Sequence, residues 1–326
     1  MIITRTPLRI SIAGGGTDLP SYYRLFGGAL ISAAITKYIY VGINHTFSRG
    51  YQVKYSKFEH VETIEEIQHP IVREALRRHA VPPSIEIISL ADIPAGTGLG
   101  SSGTFSVGLL RALHAAKRMH VTAADVAQEA CHIEIDVLRH PIGKQDQYIA
   151  SYGGITYFEF QPDDSVRASP LAISNQTLTD LEENLLLFFT GYSRAATDIL
   201  VDQDNRTSDG DAAMIENLHY VKQLGAEIKR ALEQGDTHQF GRLMHQHWEA
   251  KRKRSSNISN DDIDRWYEAG RDAGAIGGKM VGAGGGGFLL FYTTDRTSLR
   301  AAMAKEGLME VPFRFDHDGS TTIMRD

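Results

Sequence analysis

The chain has 326 residues and a formal net charge of −6, with 42% hydrophobic and 23% charged residues. This length predicts two domains, and the negative charge gives no reason to expect nucleic acid or an anionic membrane surface as a partner. Arg5 and Arg9 interrupt the first apolar stretch, and no apolar run reaches 18 residues, so we expect neither a signal peptide nor a membrane span, and a cytoplasmic location. The single Cys131 excludes an internal disulfide and is expected to be a small buried residue.

The first predicted elements are strands at residues 1–6 and 8–13, which run into the sequence GGGTD at 14–18, the first glycine segment. Three glycines at the end of a strand favour close approach of a ligand, and the alternative is a loop whose Asp18 caps the next segment. Arg9 either shares a solvent-facing side of the strand with Ser11 or places a cation beside a bound phosphate.

The next part of the chain is rich in β-branched and aromatic residues and predicts further strands. They are followed by a helix that Pro70 interrupts and by an alternating apolar run that predicts another strand. The predicted strands are 29–35, 38–47, 51–55 and 84–90, and the predicted helix is 64–78.

The second glycine segment, residues 93–103, has the sequence IPAGTGLGSSG between that strand and a predicted helix. Glycines let the backbone approach a ligand, and the free N–H groups of a helix N-terminus attract anions, so the segment predicts a phosphate-binding loop. We expect Ser101 and Ser102 to cap the helix and to reach a phosphate or its metal. The alternative is a serine-capped helix after a tight turn.

Two other phosphate loops are disfavoured. A Walker A loop needs Lys-Ser/Thr after its last glycine, which is missing here. Gly98, Gly100 and Gly103 match the dinucleotide pattern G-x-G-x-x-G, but that fold needs a second strand ending in an acid. Here a second helix is predicted at 123–138, and a capping or first-turn role explains Asp125.

Two acids stand out in the following stretch. Glu134 lies among apolar residues, so it is either on a solvent face or held inside by a partner such as a metal. Asp146 follows a turn at 140–144 and opens a new helical segment, after which 155–160 predicts a strand.

The region 161–184 is polar, predicts few strands and contains the domain boundary, which gives domains of 1–170 and 175–326. Beyond it we predict a buried strand at 185–190, a turn that carries Arg194, and helices at 212–232, 240–253 and 261–273. The basic run 251–254 is read as a solvated face, with phosphate binding as the alternative. His245 and His247 are two residues apart on a helix, a spacing that does not suit a metal pair, so both are expected to be ordinary surface or core residues.

The third glycine segment, residues 282–287, contains five glycines and precedes a predicted strand at 288–292. It is either a tight turn between closely packed strands or a further ligand-binding loop.

Three glycine segments in this order, with Asp146 between the second and third, resemble the GHMP kinase superfamily. The family motif P-x-x-x-G-L-G-S-S is matched at Pro94 and 98–102, and K-x-x-G-A-G-G-G-G is matched at Lys279 and 282–287. Residues 7–18 resemble the galactokinase-like first motif, except that Gly15 and Gly16 replace its Glu-His pair. This departure disfavours galactose and is similar to the branch of heptose 7-phosphate kinases and fucose kinases. A bifunctional fucose kinase carries a nucleotidyltransferase domain, for which we expect no room in this chain.

The resemblance implies an α+β, two-domain GHMP kinase fold. Its N-terminal domain is like domain 2 of ribosomal protein S5, with a left-handed β-α-β crossover, and its C-terminal domain is ferredoxin-like. ATP and the sugar lie between the two domains.

The resemblance also implies roles for individual residues. Asp146 accepts a proton from the anomeric hydroxyl or positions that hydroxyl, and Arg9 neutralises the transferred phosphoryl group. Ser102 and Glu134 bind Mg²⁺. The ATP-binding set is Pro94, Gly96, Gly98, Leu99, Gly100, Ser101, Ser102 and Gly103. The substrate-binding set is Gly15, Gly16, Thr17, Asp18, Gly284, Gly285, Gly286 and Arg194.

The activity implied is ATP- and Mg²⁺-dependent phosphorylation of D-glycero-D-manno-heptose 7-phosphate at its anomeric hydroxyl, giving the 1,7-bisphosphate for nucleotide-activated heptose synthesis. The alternatives are a kinase for L-fucose or another sugar, and a non-catalytic sensor of sugar and ATP. A phosphate at C7 needs cations, and Arg194, Lys251 and Arg254 are candidates from charge alone. The sequence is compatible with a homodimer and does not specify an oligomeric state.

Overall fold

The computed structural model of the protein describes residues 1–191, 197–255 and 257–325. Arg194, predicted as a substrate-binding cation, lies outside the described residues. The described strands are β1 (Ile2–Ala13), β2 (Gly28–His45), β3 (Tyr51–Lys54), β4 (Phe58–Val61), β5 (Ile85–Ala91), β6 (Ile155–Phe160), β7 (Val166–Pro170), β8 (Leu185–Phe189), β9 (Gly277–Met280), β10 (Phe288–Tyr292), β11 (Met309–Glu310) and β12 (Thr321–Arg325). The described helices are α1 (Pro20–Phe26), α2 (Pro70–Arg78), α3 (Ser101–Ala116), α4 (Ala123–Cys131), α5 (Gln145–Tyr152), α6 (Asn175–Asn184), α7 (Thr197–Ser208), α8 (Ala212–Glu233), α9 (Thr237–Arg252), α10 (Asp261–Asp272) and α11 (Arg296–Lys305).

The first sheet has the strand order β12-β1-β2-β5-β3-β4, with β6 and β7 attached to the other half of β2. The 18-residue β2 is long enough to pair with β1 along most of its length, with β6 through its first half and with β5 through its second half. Strands β3 and β5 pair in parallel. The handedness of the connection between them stays a prediction.

The second sheet is antiparallel with the order β11-β8-β10-β9, and it packs against helices of the second half of the chain. Its central strand β10 is completely buried, as its uninterrupted apolar sequence predicts. Together with the helices around both sheets, this arrangement confirms the predicted α+β class.

The two longest strands were each predicted as two shorter ones. Residues 1–6 and 8–13 form the single strand β1, and 29–35 and 38–47 form the single strand β2. Pro7 cannot donate a backbone hydrogen bond, and the pairing of β1 with β2 shifts register between Pro7 and Leu8, which accommodates it without ending the strand.

The predicted helix 123–138 forms as α4 followed by a π-helical turn, His132–Val137. Thr122 and Asp125 make a reciprocal capping box at its start, which confirms the capping role expected for Asp125. The π-helical turn carries Glu134, which is completely buried. Of the two readings of Glu134, the solvent-face one is therefore wrong.

The region 161–184 is poor in strands, as predicted: its one strand is β7, of five residues, and the helix α6 was not predicted. Strand β7 is at the edge of the sheet and half exposed, so its composition carries no strong apolar alternation. Ser174 caps helix α6: its hydroxyl accepts a hydrogen bond from Thr177 N at 3.0 Å, a capping signal that is present in the sequence.

The end of the described chain returns to the first sheet, because β12 pairs with β1 and Phe315 bridges to Ile35. The first sheet is therefore built from both ends of the chain. No described helix combines the length and apolar character needed to cross a bilayer.

Candidate active site

A cleft of about 830 Å³ brings the three glycine segments together. Its walls come from β1, the second glycine segment, the start of α5, the end of α9 and the third glycine segment. The predicted site residues that line it are Arg9, Gly15, Gly16, Asp18, Gly96, Gly98, Gly100, Ser101, Ser102, Asp146, Gly284 and Gly286. The predicted residues that do not line it are Pro94, Leu99, Gly103, Thr17, Gly285 and Glu134.

The second glycine segment requires glycine for its backbone shape. Gly96, Gly98 and Gly100 all have positive φ, between 78° and 84°. The N-cap of α3 is Gly100, in a left-handed conformation and with no side-chain cap, so the prediction that Ser101 and Ser102 cap the helix is wrong. Thr104 N makes the first bond, to Gly100 O at 3.0 Å, which leaves the amides of residues 101–103 without an intrahelical acceptor.

The second and third glycine segments touch backbone to backbone. A Cβ at Gly287 would lie 2.1 Å from Thr97 O, and a Cβ at Gly282 would lie 2.6 Å from Gly98 O. A Cβ at Gly98 would lie 2.8 Å from Val281 O. These contacts explain why glycine is needed on both sides of the cleft, because any side chain would separate the segments.

Arg9 and Asp146 form a two-point ion pair within the cleft. Arg9 Nε donates to Asp146 Oδ1 at 2.7 Å and Nη2 donates to Oδ2 at 2.8 Å, while Nη1 donates to the carbonyl of Gly98. The side chain of Arg9 is 7% exposed and that of Asp146 is 28% exposed. The solvent-facing alternative for Arg9 and Ser11 is therefore wrong. The strand turns both side chains into the cleft, where Ser11 Oγ donates to Gln145 Oε1 at 3.0 Å.

Glu134 and Ser102 place two hard oxygens side by side, since Ser102 Oγ lies 2.5 Å from Glu134 Oε2. The other carboxylate oxygen accepts a hydrogen bond from Gln147 Nε2 at 2.8 Å. In the described part of the chain no lysine or arginine lies within 4.0 Å of the Glu134 carboxylate, and the nearest basic atom is His140 Nδ1 at 3.9 Å. A buried carboxylate without a cationic side-chain partner, next to a hydroxyl, has the donor chemistry that suits Mg²⁺.

Asp18 is fixed at the end of the first glycine segment. Its Oδ1 accepts from Gly16 N at 3.0 Å and its Oδ2 from Gln145 N at 3.1 Å. Burial raises the pKa of the Asp18 carboxyl above its usual value, and these backbone N–H groups oppose that rise. Thr17, by contrast, is buried and its hydroxyl donates to Gly14 O at 2.9 Å and Ala29 O at 3.0 Å, so it holds the loop rather than lining the cleft.

An apolar and aromatic end of the cleft was missed from the sequence. The His69 ring lies between Tyr55 and Phe105, with ring-centroid distances of 4.8 and 5.0 Å. Leu90 and Ile71 complete this wall. The residues belong to four separate elements, so no local motif marks them. A flat apolar slot beside a glycine-rich loop can hold a nucleobase.

A buried cationic end of the cleft was also missed. The basic run 251–254 is predicted as a solvated face, and Lys253 is indeed exposed. Lys251 is 7% and Arg254 is 4% exposed, so the prediction is wrong for these two residues. His247 is buried in the same wall, and its Nε2 accepts a hydrogen bond from Gly14 N at 3.1 Å, in agreement with the expectation of a core residue. His245 pairs with Tyr267 instead, at 2.7 Å.

Both halves of the chain match families of known proteins. Residues 63–154 match the family described as the GHMP kinases N terminal domain, and residues 228–307 match the GHMP kinases C terminal family. The D-glycero-alpha-D-manno-heptose 7-phosphate kinase of Campylobacter jejuni is 31% identical to this chain over 335 residues, covering 98% of this chain and 97% of that protein. The L-fucokinase/L-fucose-1-P guanylyltransferase of Bacteroides fragilis is 26% identical, over 89% of this chain and 34% of that protein.

Solved structures show the same fold over the whole chain. The crystal structure of a D-glycero-D-manno-heptose 1-phosphate kinase from Bacteroides thetaiotaomicron superposes with a TM-score of 0.82 at 27% identity, covering 100% of both chains. The galactokinase of Lactococcus lactis, solved with galactose, superposes with a TM-score of 0.79 at 16% identity. The full-length sequence similarity, the fold and the meeting of the three glycine segments in one cleft together identify this chain as a member of the GHMP kinases.

Proposed function

We propose that the protein is an ATP-dependent sugar kinase that phosphorylates the anomeric hydroxyl of D-glycero-D-manno-heptose 7-phosphate and yields the 1,7-bisphosphate. The observation that carries the proposal is the Asp146 carboxylate, held by Arg9 beside the second glycine segment and open to the cleft. The choice of the heptose 7-phosphate as the substrate rests on the full-length similarity to the heptose 7-phosphate kinase of Campylobacter jejuni. The fucokinases are less similar and share a smaller part of their own length with this chain.

In the proposed reaction the anomeric oxygen attacks the γ-phosphorus of ATP while the bond from that phosphorus to the β-phosphate oxygen breaks. Asp146 orients the hydroxyl and accepts its proton, so the products are the sugar 1-phosphate and ADP. Arg9 keeps the carboxylate in one orientation and adds positive charge where negative charge is transferred.

The second glycine segment is proposed to bind the ATP phosphates. The amides of residues 101–103 have no intrahelical acceptor and lie at the positive end of α3, a 16-residue helix. The Ser101 hydroxyl is buried and has no hydrogen-bond partner in the described structure, which leaves a donor for a phosphate oxygen. Ser102 and Glu134 would hold Mg²⁺, which supplies charge neutralisation for the phosphates when bound.

The first glycine segment is proposed to bind the sugar. Asp18 lies in the cleft wall with its carboxylate fixed by two backbone N–H groups, so it can accept hydrogen bonds from sugar hydroxyls. Gly15 and Gly16 provide close backbone approach, and the third glycine segment closes the cleft opposite them through Gly284 and Gly286. Thr17 and Gly285 do not line the cleft and would act by supporting these loops, and Arg194 is kept as a candidate for binding the substrate.

The remaining parts of the proposal concern organisation. Residues 1–170 form the ATP-binding domain and 175–326 the C-terminal domain, whose last strand β12 joins the first sheet. We also propose that the enzyme works in the cytoplasm, where ATP is supplied. A homodimer is compatible with the proposal, which does not require one.

The test is coupled release of ADP with Mg²⁺-ATP and one candidate sugar at a time. The sugars are D-glycero-D-manno-heptose 7-phosphate, the isomeric heptose 1-phosphate, L-fucose, galactose, mannose and mevalonate. Turnover of the heptose 7-phosphate, with a new anomeric phosphate in the ³¹P spectrum of the product, is expected. Preference for the heptose 1-phosphate or for an unphosphorylated sugar would overturn the proposed substrate, and ATP binding without turnover of any sugar would favour a sensor.

A further inference from the structure

Arg254 follows the end of α9 and points its guanidinium group towards the first glycine segment. Its Nε donates to Asn217 Oδ1 at 2.8 Å, and its Nη1 donates to Gly15 O at 3.0 Å. Its Nη2 is buried and has no hydrogen-bond partner in the described structure. A buried guanidinium N–H without an acceptor is costly, so a ligand that supplies an acceptor there would be bound strongly.

Two further buried cations, Lys251 and Lys279, lie in the same wall of the cleft. Lys251 Nζ donates to Met280 O at 3.1 Å and also to the carbonyl of Gly282, and Lys279 Nζ donates to Ile12 O at 3.1 Å. These acceptors are neutral, and no described carboxylate lies within 4.0 Å of either ammonium group or of the Arg254 guanidinium. The wall therefore gathers three buried basic side chains without a paired carboxylate among the residues described.

The electrostatics of these buried groups favour binding of an anion. Burial, together with repulsion from Arg254 and Arg9, lowers the pKa of Lys279 to about 7, and burial lowers that of Arg254 to about 10. Burial also lowers the pKa of Lys251, as do Lys279, Arg254 and Arg9. The Asp18 carboxylate and the Tyr22 phenol oppose the lowering of the Arg254 pKa, but backbone amides already hold Asp18. A bound anion would relieve the mutual repulsion of these cations.

The position of Arg254 indicates which ligand carries the anion. Its contacts are with Gly15 O and with Gln203, whose Nε2 donates to Gly16 O at 3.0 Å, and not with the second glycine segment. A Cβ at Gly16 would lie 2.6 Å from Arg254 Nη1 and 2.7 Å from Gln203 Nε2, at a φ of +99°. Glycine at position 16 therefore leaves the space that the guanidinium group occupies beside the proposed sugar site.

We propose that Arg254, supported by Lys251 and Lys279, forms an anion subsite that binds the phosphate which the sugar already carries before the reaction. This proposal rests on the proposed function. It assigns selection of a phosphorylated over an unphosphorylated sugar to Arg254, whose planar fork suits two oxygens of a phosphate monoester. The γ-phosphate of ATP is the other phosphate group that such a subsite could bind.

The experiment compares wild type, Arg254→Gln and a control, Arg252→Gln. Arg252 is two residues away, at the end of α9, but it pairs with Glu249 and Asp264 outside the cleft. Calorimetric titrations without nucleotide measure the affinity for D-glycero-D-manno-heptose with and without its 7-phosphate. Separate titrations measure ADP and a non-hydrolysable ATP analogue, and thermal unfolding checks that each variant is folded.

We expect Arg254→Gln to reduce the preference for the phosphorylated heptose about 10- to 100-fold, the range for loss of a charge-assisted hydrogen bond, with nucleotide affinity within threefold of wild type. Arg252→Gln should keep the wild-type preference. An equal loss for both sugars would overturn the subsite. A selective loss of affinity for the ATP analogue relative to ADP would assign Arg254 to the γ-phosphate instead.

A measurement on wild type keeps the proposal testable if Arg254→Gln does not fold. Inorganic phosphate should weaken binding of the heptose 7-phosphate and leave binding of the unphosphorylated heptose within twofold, and an equal effect on both would overturn the subsite. Failure of the proposed function is a separate result. It would appear as absence of turnover of the heptose phosphate by wild type, whereas failure of the subsite leaves that turnover intact.

Discussion

Arg9 binds Asp146 side on, through Nε to Oδ1 at 2.7 Å and Nη2 to Oδ2 at 2.8 Å. Both side chains also pack against Gly100, where a Cβ would lie 3.2 Å from Arg9 Nε and 3.2 Å from Asp146 Cγ. The carboxylate is therefore fixed in one orientation at the start of α3. This arrangement can orient a hydroxyl and accept its proton without moving first.

Asp146→Asn should lower kcat by about 10²–10⁴-fold, because the amide cannot accept the proton of the attacking hydroxyl. Steady-state kinetics with saturating ATP and sugar measures the loss. Asp136→Asn is the matched control, since Asp136 is exposed and pairs with His132 at 3.0 Å on the far side of the π-helical turn. A loss below about tenfold would mean that Asp146 only positions the hydroxyl.

The ion pair should also appear in a double-mutant cycle. Arg9→Gln removes both hydrogen bonds to Asp146, so its effect on kcat should overlap strongly with that of Asp146→Asn. If the two residues acted independently, their fold losses in kcat would multiply in the double variant. We expect the kcat of the double variant to be at least tenfold higher than that product. Fully multiplicative losses would show that Arg9 acts on the phosphoryl group independently of Asp146.

Glu134→Gln and Ser102→Ala should each raise the Mg²⁺ concentration needed for half-maximal rate. Removing the charge or the hydroxyl takes one hard oxygen from the proposed metal site, and removal of a ligand should raise this requirement by about tenfold or more. The measurement is the initial rate as a function of free Mg²⁺ at fixed ATP. Unchanged Mg²⁺ dependence in both variants, with a changed KM for ATP, would assign these residues to the nucleotide alone.

Gly143→Ala should disturb sugar binding by displacing Asp18. A Cβ at Gly143 would lie 1.9 Å from Asp18 Oδ2, so the carboxylate must leave the hydrogen bond it accepts from Gln145 N. We expect KM for the sugar to rise by about tenfold or more, the loss typical of a charged hydrogen bond, while KM for ATP changes little. Equal increases in both constants, with a lower unfolding temperature, would point to general destabilisation.

A charge cluster away from the cleft should make the free energy of unfolding depend on pH in the acidic range. Glu129 accepts hydrogen bonds from His114 Nε2 at 2.7 Å, His79 Nε2 at 3.1 Å and Arg78 Nε at 2.8 Å, which ties α4 to α2 and α3. Burial raises the pKa of the Glu129 carboxyl, but the hydrogen bonds from His114, His79 and Arg78 outweigh it and hold the pKa well below 4.5. A depressed pKa stabilises the folded state above pH 4.5, and this contribution is lost as the pH falls below that value.

Glu129→Gln should therefore lower the free energy of unfolding by about 1–3 kcal/mol at pH 7, and the difference from wild type should shrink between pH 4.5 and pH 3. Urea unfolding at several pH values measures it. Glu183→Gln, at a side chain 57% exposed, is the control and should have little effect. A difference that stays constant down to pH 3 would contradict the linkage.

The sequence was most informative where the backbone itself is unusual. The second glycine segment has positive φ at Gly96, Gly98 and Gly100, within five residues. The residue types of this short stretch are enough to indicate such a backbone. The same is true of the capping box at Thr122 and Asp125. These features depend on neighbours in sequence, so residue type and spacing predict them.

The environment of charged side chains was harder to predict. Lys251 lies in the last turn of an amphipathic helix and Arg254 just after it, so the sequence suggests a solvated helix end. In the structure the first and third glycine segments cover both side chains. The aromatic wall at Tyr55, His69 and Phe105 combines residues up to 50 positions apart in the numbering. Which distant segments meet is decided by tertiary packing, and periodicity within one element carries no information about it.

The glycine contacts across the cleft also limit how this protein can be recombined. Thr97 and Gly98, before α3, meet Gly282 and Gly287, before β10, with no side chain between them. A hybrid that joins the first half of this chain to the second half of a relative would inherit a working cleft only if both parents have the same backbone path at these points. The two segments are nearly two hundred residues apart. We expect a change in the backbone path of one to be tolerated only with a matching change in the other.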